Sequence, residues 1–291
     1  MWYNGIDGGS FCCPGRLKKE VIGIFAKRRK KSRKPLRKWQ KVILGLYLLN
    51  ISTFTVARLC LLCFGGLKAT LEPHIGDEAS REMTYLIAGN LNQPQPAFNF
   101  MTSELDANFT YVKFAVQGWN AKATAKAILK DIRKHNYRAR VFAISIGDQV
   151  ARYLEDELGD EIEIYSINPC SYKDALQPKY CELTTTWALP AEILCHLLGW
   201  PTMFPSIEVG GGDYSLVMLV DQYWEIAYGK PPLKTSYTRG VVLSANDEVL
   251  NNDYLRSLFD ETKIVEIDTA HADTWAAAEE YLKGVKRLLE P

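Results

Sequence analysis

The sequence has few of the side chains from which metal and redox centres are built. It contains seven cysteines and four histidines among 291 residues. Cys60 and Cys63 are spaced C-x-x-C, but they lie in an apolar run without a second cysteine pair or a nearby histidine, and a zinc site needs such further ligands. The sequence therefore predicts neither a metal site nor a bound cofactor.

An excess of either charge is also lacking, since 35 Lys and Arg balance 34 Asp and Glu. The two signs are unevenly distributed, however: residues 1–41 carry 13 basic and 2 acidic residues, whereas residues 42–291 carry 22 and 32. A basic segment alone can bind nucleic acid, but the acidic remainder offers no basic and aromatic surface to extend it. We therefore expect a disordered basic arm over 1–41 and no nucleic-acid partner.

No uninterrupted apolar run is long enough to cross a membrane. Residues 42–57 are free of charge, yet these 16 residues would reach only about 24 Å as a helix, against a hydrocarbon layer of about 30 Å. A span must therefore include Arg58, which can snorkel from a position near the helix end while the surrounding apolar residues outweigh its cost. We expect a transmembrane anchor over 42–64; an interfacial helix and a cleaved secretory signal are the alternatives.

The position of the basic block predicts the orientation of this anchor. By the positive-inside rule the arm lies in the cytoplasm and residues 68–291 lie on the opposite side of the membrane. The block would also attract anionic lipid. Asn108-Phe109-Thr110 would accept a glycan only if that opposite side were a eukaryotic lumen.

After residues 68–81, short apolar segments alternate with amphipathic patterns to the end of the chain. The predicted strands are 83–88, 110–117, 139–144, 162–168, 240–245 and 262–268, and the predicted helices are 97–106, 121–136, 148–158, 248–259 and 273–289. This alternation is typical of a doubly wound α/β domain with a mainly parallel sheet. Because residues 65–81 contain Pro73 and several charges, we expect six strands, within a domain over 82–291.

One connection is much longer than the others. Residues 170–238 are rich in aromatics and contain two helical patterns separated by Gly210-Gly211-Gly212. The segment is either a cap that shapes a substrate pocket or a helical subdomain packed for stability. Cys170 and Cys181 within it could form a disulfide if the domain is exported, or could both remain reduced.

The pentapeptide Ala143-Ile144-Ser145-Ile146-Gly147 lies between a predicted buried strand and a predicted helix. Small residues two before and two after a serine allow the tight strand-to-helix turn that projects the hydroxyl above a sheet. Asp247 and His271 likewise follow the carboxyl ends of later predicted strands. Side chains in these positions line the functional crevice of doubly wound sheets.

The order Ser145, Asp247, His271 resembles the α/β-hydrolase superfamily, over about residues 82–291. The resemblance is carried by Ala143–Gly147, by Ser244-Ala245-Asn246-Asp247-Glu248-Val249 and by Ala270-His271-Ala272-Asp273. It implies a reduced, six-stranded version of that fold with a helical cap insertion. It also implies that Ser145 is the nucleophile, His271 its general base and Asp247 the acid that orients the imidazole.

The same resemblance implies an oxyanion hole formed by the backbone N–H groups of Ile146 and Asn90. The loop holding Asn90 lacks the histidine that many family members have.

Each triad residue also has a structural explanation: Ser145 as a turn residue, Asp247 as a helix N-cap and His271 as a surface residue. Asp268 and Asp253 are the competing acids.

These observations predict a membrane-anchored serine hydrolase that forms an acyl-enzyme, acting on carboxylic esters with an apolar group. The expected partners are a small-molecule or lipid-like ester and the membrane. A peptidase or thioesterase could use the same triad. The alternative from another class is a catalytically silent α/β-hydrolase-like interaction module.

Overall fold

A computed structural model describes residues 37–42, 44–45, 48, 69–89, 94–105, 108–114, 119–178, 222, 225–226, 231–232, 235–271, 274 and 276–290. The chain divides into two compact units, Met1–Val56 and Ala57–Pro291. In the first unit, residues 38–42, 44–45 and 48 are helical, and the side chains of Trp39, Val42, Leu44 and Leu48 are exposed.

The predicted anchor over 42–64 lies almost wholly outside the described residues, as does most of the predicted arm over 1–41. Among the residues that are described, no helix combines the length and the apolar character needed to cross a membrane. The anchor and its orientation therefore stay predictions.

The second unit is built from strands and helices that alternate along the chain. Its strands are β1 (Thr70–Ile75), β2 (Glu82–Ile87), β3 (Asn108–Lys113), β4 (Arg138–Ile144), β5 (Ile162–Ile167), β6 (Thr238–Ser244) and β7 (Ile264–Ile267). Its helices are α1 (Pro94–Phe98), α2 (Ala121–His135), α3 (Asp148–Leu158), α4 (Asn252–Leu258) and α5 (Ala278–Leu289).

The strands form one sheet in the order β1-β3-β2-β4-β5-β6-β7. All neighbouring pairs are parallel except β1 and β3, which are antiparallel. The predicted mainly parallel α/β sheet is thus confirmed. The predicted count of six strands is wrong, because the described residues form a seven-stranded sheet. Its first strand begins at Thr70, before the predicted domain start at residue 82.

The strand that was not predicted is β1. It contains Pro73, and this proline explains why β1 lies at the edge of the sheet. Pro73 pairs with Thr110 of β3, and β1 forms the edge of the sheet. A proline lacks the N–H that a central strand must donate, but an edge strand has one side without a ladder partner and tolerates that loss. Charged residues such as Glu72 are also ordinary on an edge.

Alternating side chains of the central strand divide the core into two layers. Val141 and Ala143 of β4 belong to the cluster that contains Ile128 of α2 and Leu154 of α3. Phe142 and Ile144 belong to the cluster on the other face, packed with Tyr281 and Val285 of α5. A strand buried on both faces reads as a continuous apolar run, which is why the sequence pattern located β4 correctly.

Helix boundaries differ from expectation where polar side chains bind the backbone. The helix expected over 248–259 starts only at Asn252. Asp247 Oδ1 accepts from the N–H groups of Val249 and Leu250, which lie before the helix, and Asn251 is the N-cap residue, whose side chain accepts from Tyr254 N. The pattern over 97–106 is divided between α1 and a 3₁₀ turn at Thr102–Glu104. The helix expected over 273–289 begins at Ala278.

The connection between β1 and β2 is held by a buried asparagine. Asn108 Oδ1 accepts from the N–H groups of Gly76 and Asp77, each at 3.0 Å, and Asn108 Nδ2 donates to Asp77 O at 2.8 Å. The side-chain amide of the sequon Asn108-Phe109-Thr110 is therefore buried and bonded. A glycan on that nitrogen could not be accommodated in this fold.

We expect Asn108→Ala to lower the free energy of unfolding by about 1–3 kcal/mol, because it removes three hydrogen bonds between the buried Asn108 side chain and the backbone of Gly76 and Asp77. Asn99→Ala is the control, since the Asn99 side chain is exposed, and we expect a change within about 0.5 kcal/mol. Urea unfolding followed by circular dichroism measures both. Equal effects of the two substitutions would contradict this role of Asn108.

Candidate active site

The turn between β4 and α3 carries the serine singled out by the sequence. Ser145 begins a 3₁₀ turn over Ser145–Gly147 and has φ of 52°. Residues other than glycine adopt this left-handed conformation infrequently, and it is strained when it occurs. The Ser145 side chain, which is 9% exposed, is therefore held in a sharp turn at the carboxyl end of the central strand.

The turn can exist only because its neighbours are small. A Cβ atom added to Gly147 would lie 2.6 Å from Ala88 O and 2.7 Å from Ile87 O, both backbone atoms at the end of β2. A Cβ added to Gly89 would lie 3.0 Å from Ser145 Cβ. The two glycines thus allow the loop after β2 to contact the serine turn directly.

The structure brings the three predicted residues together. Ser145 Oγ and His271 Nε2 are 3.1 Å apart, and His271 Nδ1 and Asp247 Oδ2 are 2.7 Å apart. The side chain of Asp247 is fully buried and that of His271 is 15% exposed. A hydroxyl, an imidazole and a carboxylate therefore form one continuous hydrogen-bonded chain.

Asp247 also binds the backbone of its own loop, although the N-cap residue of α4 is Asn251. Its Oδ1 accepts from Val249 N at 2.9 Å and from Leu250 N at 2.7 Å, which leaves Oδ2 to the imidazole. The competing acids bind elsewhere: Asp268 accepts from Asn246 Nδ2 at 2.5 Å and Asp253 accepts from Arg256 at 2.9 Å. These two hydrogen bonds from Asp247 to the backbone of its own loop therefore hold the carboxylate in place for the histidine.

Ile146 and Asn90 are the two oxyanion donors expected from the sequence. Ile146 is the second residue of the 3₁₀ turn, where the first N–H groups have no partner within the helix. Asn90 lies outside the described residues. Gly89, directly before it, contacts the serine turn.

A buried ionic network below the serine turn was not predicted. Arg152 of α3 donates to Asp148 Oδ1 at 3.0 Å and also to Glu155 Oε2, and all three residues are fully or almost fully buried. The Asp148 carboxylate accepts from Arg152, Ser166 and Ser171, so its charge is paired with a buried cation.

The network joins α3 to both ends of the long 170–238 connection. Ser171, at its start, donates to Asp148, while Thr238 and the N–H of Tyr237, at its end, bind Arg152 and Glu155 at 2.9 and 2.7 Å. The sequence does contain a signal, since charges at spacings of four and three fall on one helical face beside the apolar stripe. That pattern alone does not distinguish a buried ionic face from a solvated one.

Cys170 also contacts the site through its backbone. Its N–H donates to Ser145 O at 3.0 Å, and its buried thiol is free. Burial raises the pKa of this thiol, and the nearby Asp247 and Asp148 raise it further, so the group stays protonated. A free Cys170 favours the reduced alternative; Cys181, like most of the predicted cap, lies outside the described residues.

Comparisons with known proteins identify the fold. No protein-family model and no curated protein matches the chain. Solved structures that match include a hydrolase from Pseudomonas aeruginosa, with a TM-score of 0.52 and 14% identity over 77% of this chain and 94% of that one. A lipase-esterase related protein from Clostridium acetobutylicum has a TM-score of 0.53 and 12% identity, over 77% and 100% of the two chains.

A third match is an esterase from Exiguobacterium antarcticum, with a TM-score of 0.52 and 11% identity over 78% of this chain and 97% of that one. At these identities the likeness is one of fold. The α/β-hydrolase resemblance stated from the sequence is therefore confirmed at the level of the fold.

The buried network allows a comparison of two arginines that each bind two carboxylates. Arg152→Met leaves Asp148 and Glu155 buried without their cation, and we expect the free energy of unfolding to fall by about 3–5 kcal/mol. Arg256, which binds Asp253 and Glu266, is part exposed, so Arg256→Met should cost no more than about 1 kcal/mol. Urea unfolding measures both.

The pH dependence of Arg152→Met gives a second measurement. Burial already raises the pKa of Glu155, while Arg152 lowers it; removing the arginine raises the folded-state pKa further above the unfolded value. The folded variant then binds protons more tightly than its unfolded chain, so its stability deficit should shrink between about pH 7 and pH 5. A deficit that stayed constant over this range would contradict the ionic origin of the effect.

Proposed function

We propose that the second unit is a serine hydrolase that cleaves carboxylic esters through an acyl-enzyme. The observation that carries this proposal is the continuous hydrogen-bonded chain from Ser145 Oγ through His271 to Asp247, with distances of 3.1 and 2.7 Å. A serine hydroxyl is a weak nucleophile until a base within hydrogen-bond reach removes its proton. This arrangement supplies that base and orients it.

In the first half of the reaction, His271 Nε2 removes the proton from Ser145 Oγ, and Oγ attacks the ester carbonyl carbon. The tetrahedral intermediate collapses when the bond to the alkoxide breaks, and the imidazolium gives its proton to the departing alcohol. In the second half, His271 removes a proton from water, which attacks the acyl-serine. The carboxylic acid then leaves and the serine regains its proton.

Asp247 would act on the histidine rather than on the substrate. Its Oδ2 accepts from Nδ1–H of His271, which leaves Nε2 as the acceptor for the serine proton. Because Oδ1 is occupied by two backbone N–H groups, the carboxylate cannot rotate without losing them. The buried negative charge stabilises the imidazolium that forms during each half-reaction.

The developing oxyanion would be bound by the N–H groups of Ile146 and Asn90. Ile146 qualifies by its place at the start of the 3₁₀ turn. Support for Asn90 comes from Gly89, whose close contact with Ser145 brings the chain leading to Asn90 to the serine turn. Donors fixed in advance around the transition-state charge commonly account for several kcal/mol of stabilisation.

An ester with an apolar group is the proposed substrate class. Matching structures include a lipase-esterase related protein and an esterase, and the sequence of the 170–238 connection contains many aromatics. A peptidase or thioesterase would use the same three side chains. A silent interaction module is the alternative of another class, and labelling of the serine separates it from all of these.

We also propose that the enzyme is held at a membrane by a helix over 42–64. The support is the uncharged stretch 42–57 and the basic block before it. With the basic arm in the cytoplasm, the catalytic unit would lie on the opposite side.

We expect the purified protein to react with a fluorophosphonate probe and to hydrolyse short-chain nitrophenyl esters. Ser145→Ala should abolish labelling, and Asp247→Asn should lower kcat by roughly a thousandfold or more, because the imidazole loses its orienting charge. Asp268→Asn is the matched control, since Asp268 follows the neighbouring strand and binds only Asn246 among the described contacts. Its kcat should stay near that of the wild type.

Three outcomes of this experiment count against the proposal. A folded wild-type protein that neither labels nor hydrolyses any ester is the silent interaction module. Labelling that survives Ser145→Ala means that another serine is the nucleophile. If Asp268→Asn lowers kcat and Asp247→Asn does not, the acid has been assigned incorrectly.

For the membrane proposal, the measurement is partitioning. The full-length chain should remain with membranes after a carbonate wash, whereas a chain beginning at Lys68 should be soluble without detergent, because it lacks the apolar residues 42–64. Carbonate extraction of the full-length chain into the soluble fraction would argue against a span.

A further inference from the structure

A second buried network, composed of neutral groups, lies at the carboxyl ends of β5, β6 and β7. Its members are Asn168, Ser244, Thr269 and Tyr281, all buried. Asn168 Nδ2 donates to Ser244 Oγ at 2.8 Å and to the Tyr281 hydroxyl at 2.9 Å. Ser244 Oγ lies 2.7 Å from Thr269 Oγ1 and 2.8 Å from the Tyr281 hydroxyl.

The network connects the two loops that carry the acid and the base. Ser244 ends β6 just before the Asp247 loop, and its N–H donates to Asn168 Oδ1 at 2.8 Å. On the other side, the Tyr281 hydroxyl donates to Ala270 O at 3.0 Å, on the residue directly before His271. The Tyr281 hydroxyl of α5 therefore binds Ser244, which precedes the Asp247 loop, and Ala270, which precedes His271.

The hydrogen atoms of these groups leave little freedom. The Tyr281 hydroxyl has one hydrogen, which it donates to Ala270 O. Its oxygen therefore accepts from Asn168 Nδ2 and from Ser244 Oγ. Burial raises the pKa of Tyr281, which keeps the hydroxyl a donor at neutral pH. Removing this one oxygen would leave Ala270 O, one Asn168 N–H and the Ser244 hydroxyl without that partner, while the tyrosine ring stays packed in the core.

We propose that Tyr281 is a positioning residue that fixes His271 relative to Asp247 by binding Ala270 O and Ser244 Oγ at once. This inference rests on the proposed serine hydrolase function. Tyr281 does not contact the reacting atoms; it acts through the backbone of the residue next to the base. Without its hydroxyl the histidine loop shifts relative to the acid loop, and the 2.7 Å contact between Nδ1 and Oδ2 lengthens or loses its alignment.

The test compares Tyr281→Phe with a matched variant, Tyr85→Phe. Tyr85 is also fully buried, and its hydroxyl donates to Asp131 Oδ2 at 2.8 Å, away from the acid and histidine loops. Both substitutions remove one buried hydroxyl and keep the ring. We would measure kcat and KM with a short-chain nitrophenyl ester, counting active sites by fluorophosphonate titration so that unfolded molecules do not enter kcat.

We expect Tyr281→Phe to lower kcat by roughly 10- to 100-fold with little change in KM, because small displacements of a catalytic group cost rate rather than binding. Tyr85→Phe should keep the kcat of the wild type even if its melting temperature falls. Proton NMR adds a readout that is independent of turnover. The downfield resonance of His271 Nδ1–H, assigned by its loss in His271→Ala, should shift or broaden in Tyr281→Phe and stay unchanged in Tyr85→Phe.

An unchanged kcat in Tyr281→Phe, or an equal fall in both variants, would overturn the inference. If Tyr281→Phe does not fold, Ser244→Ala decides: it removes the Ser244 Oγ that the Tyr281 hydroxyl binds next to the Asp247 loop, and an unchanged kcat and NMR resonance would count as refutation. If the wild-type protein is not labelled by the probe, the proposed function fails by itself. Whether Tyr281 fixes His271 relative to Asp247 is then decided by the His271 Nδ1–H resonance alone.

Discussion

The structure depends on the close approach between the turn after β4 and the end of β2. Gly147 lies so near the carbonyl oxygens of Ile87 and Ala88 that no side chain fits there, and this contact holds Ser145 at a φ of 52°. The strain of that conformation must be offset by the packing around it. In the sheet, β4 lies between the parallel strands β2 and β5, so the serine turn that follows β4 has a neighbouring strand end on either side.

Two buried networks, one ionic and one of neutral hydrogen-bonding groups, also support the residues around Ser145. The ionic network of Asp148, Arg152 and Glu155 joins α3 to β5 and β6, where each charge is costly to bury and therefore must keep its partner. The network of Asn168, Ser244, Thr269 and Tyr281 is neutral, so its hydrogen bonds carry a smaller desolvation cost. The charged network lies under the serine and the neutral one between the acid and the histidine, where a further charge would perturb the imidazole.

The sequence predicted that Ser145, Asp247 and His271 lie together because chain order and the rules of parallel sheets suffice for it. Ser145, Asp247 and His271 each follow a strand, and parallel strands end at one edge, so their side chains converge. The strand β1 was missed because Pro73 excludes a central strand but not an edge. The ionic network was missed because Arg152 and Glu155 have the spacing of a solvated helix face, and only tertiary packing reveals that this face is buried.

The same contacts constrain the long connection between β5 and β6 at both ends. Tyr172 near its start donates through its hydroxyl to Pro232 O at 2.8 Å near its end, and residues 175–177 bond to the backbone of 249–251 beside the Asp247 loop. The ends are thus fixed to the Asp247 loop and, through Ser171 and Tyr237, to α3, the helix that follows Ser145. The distances from Ser145 to His271 and from His271 to Asp247 are set by the sheet and its two networks, so we expect them to tolerate changes of sequence within the connection.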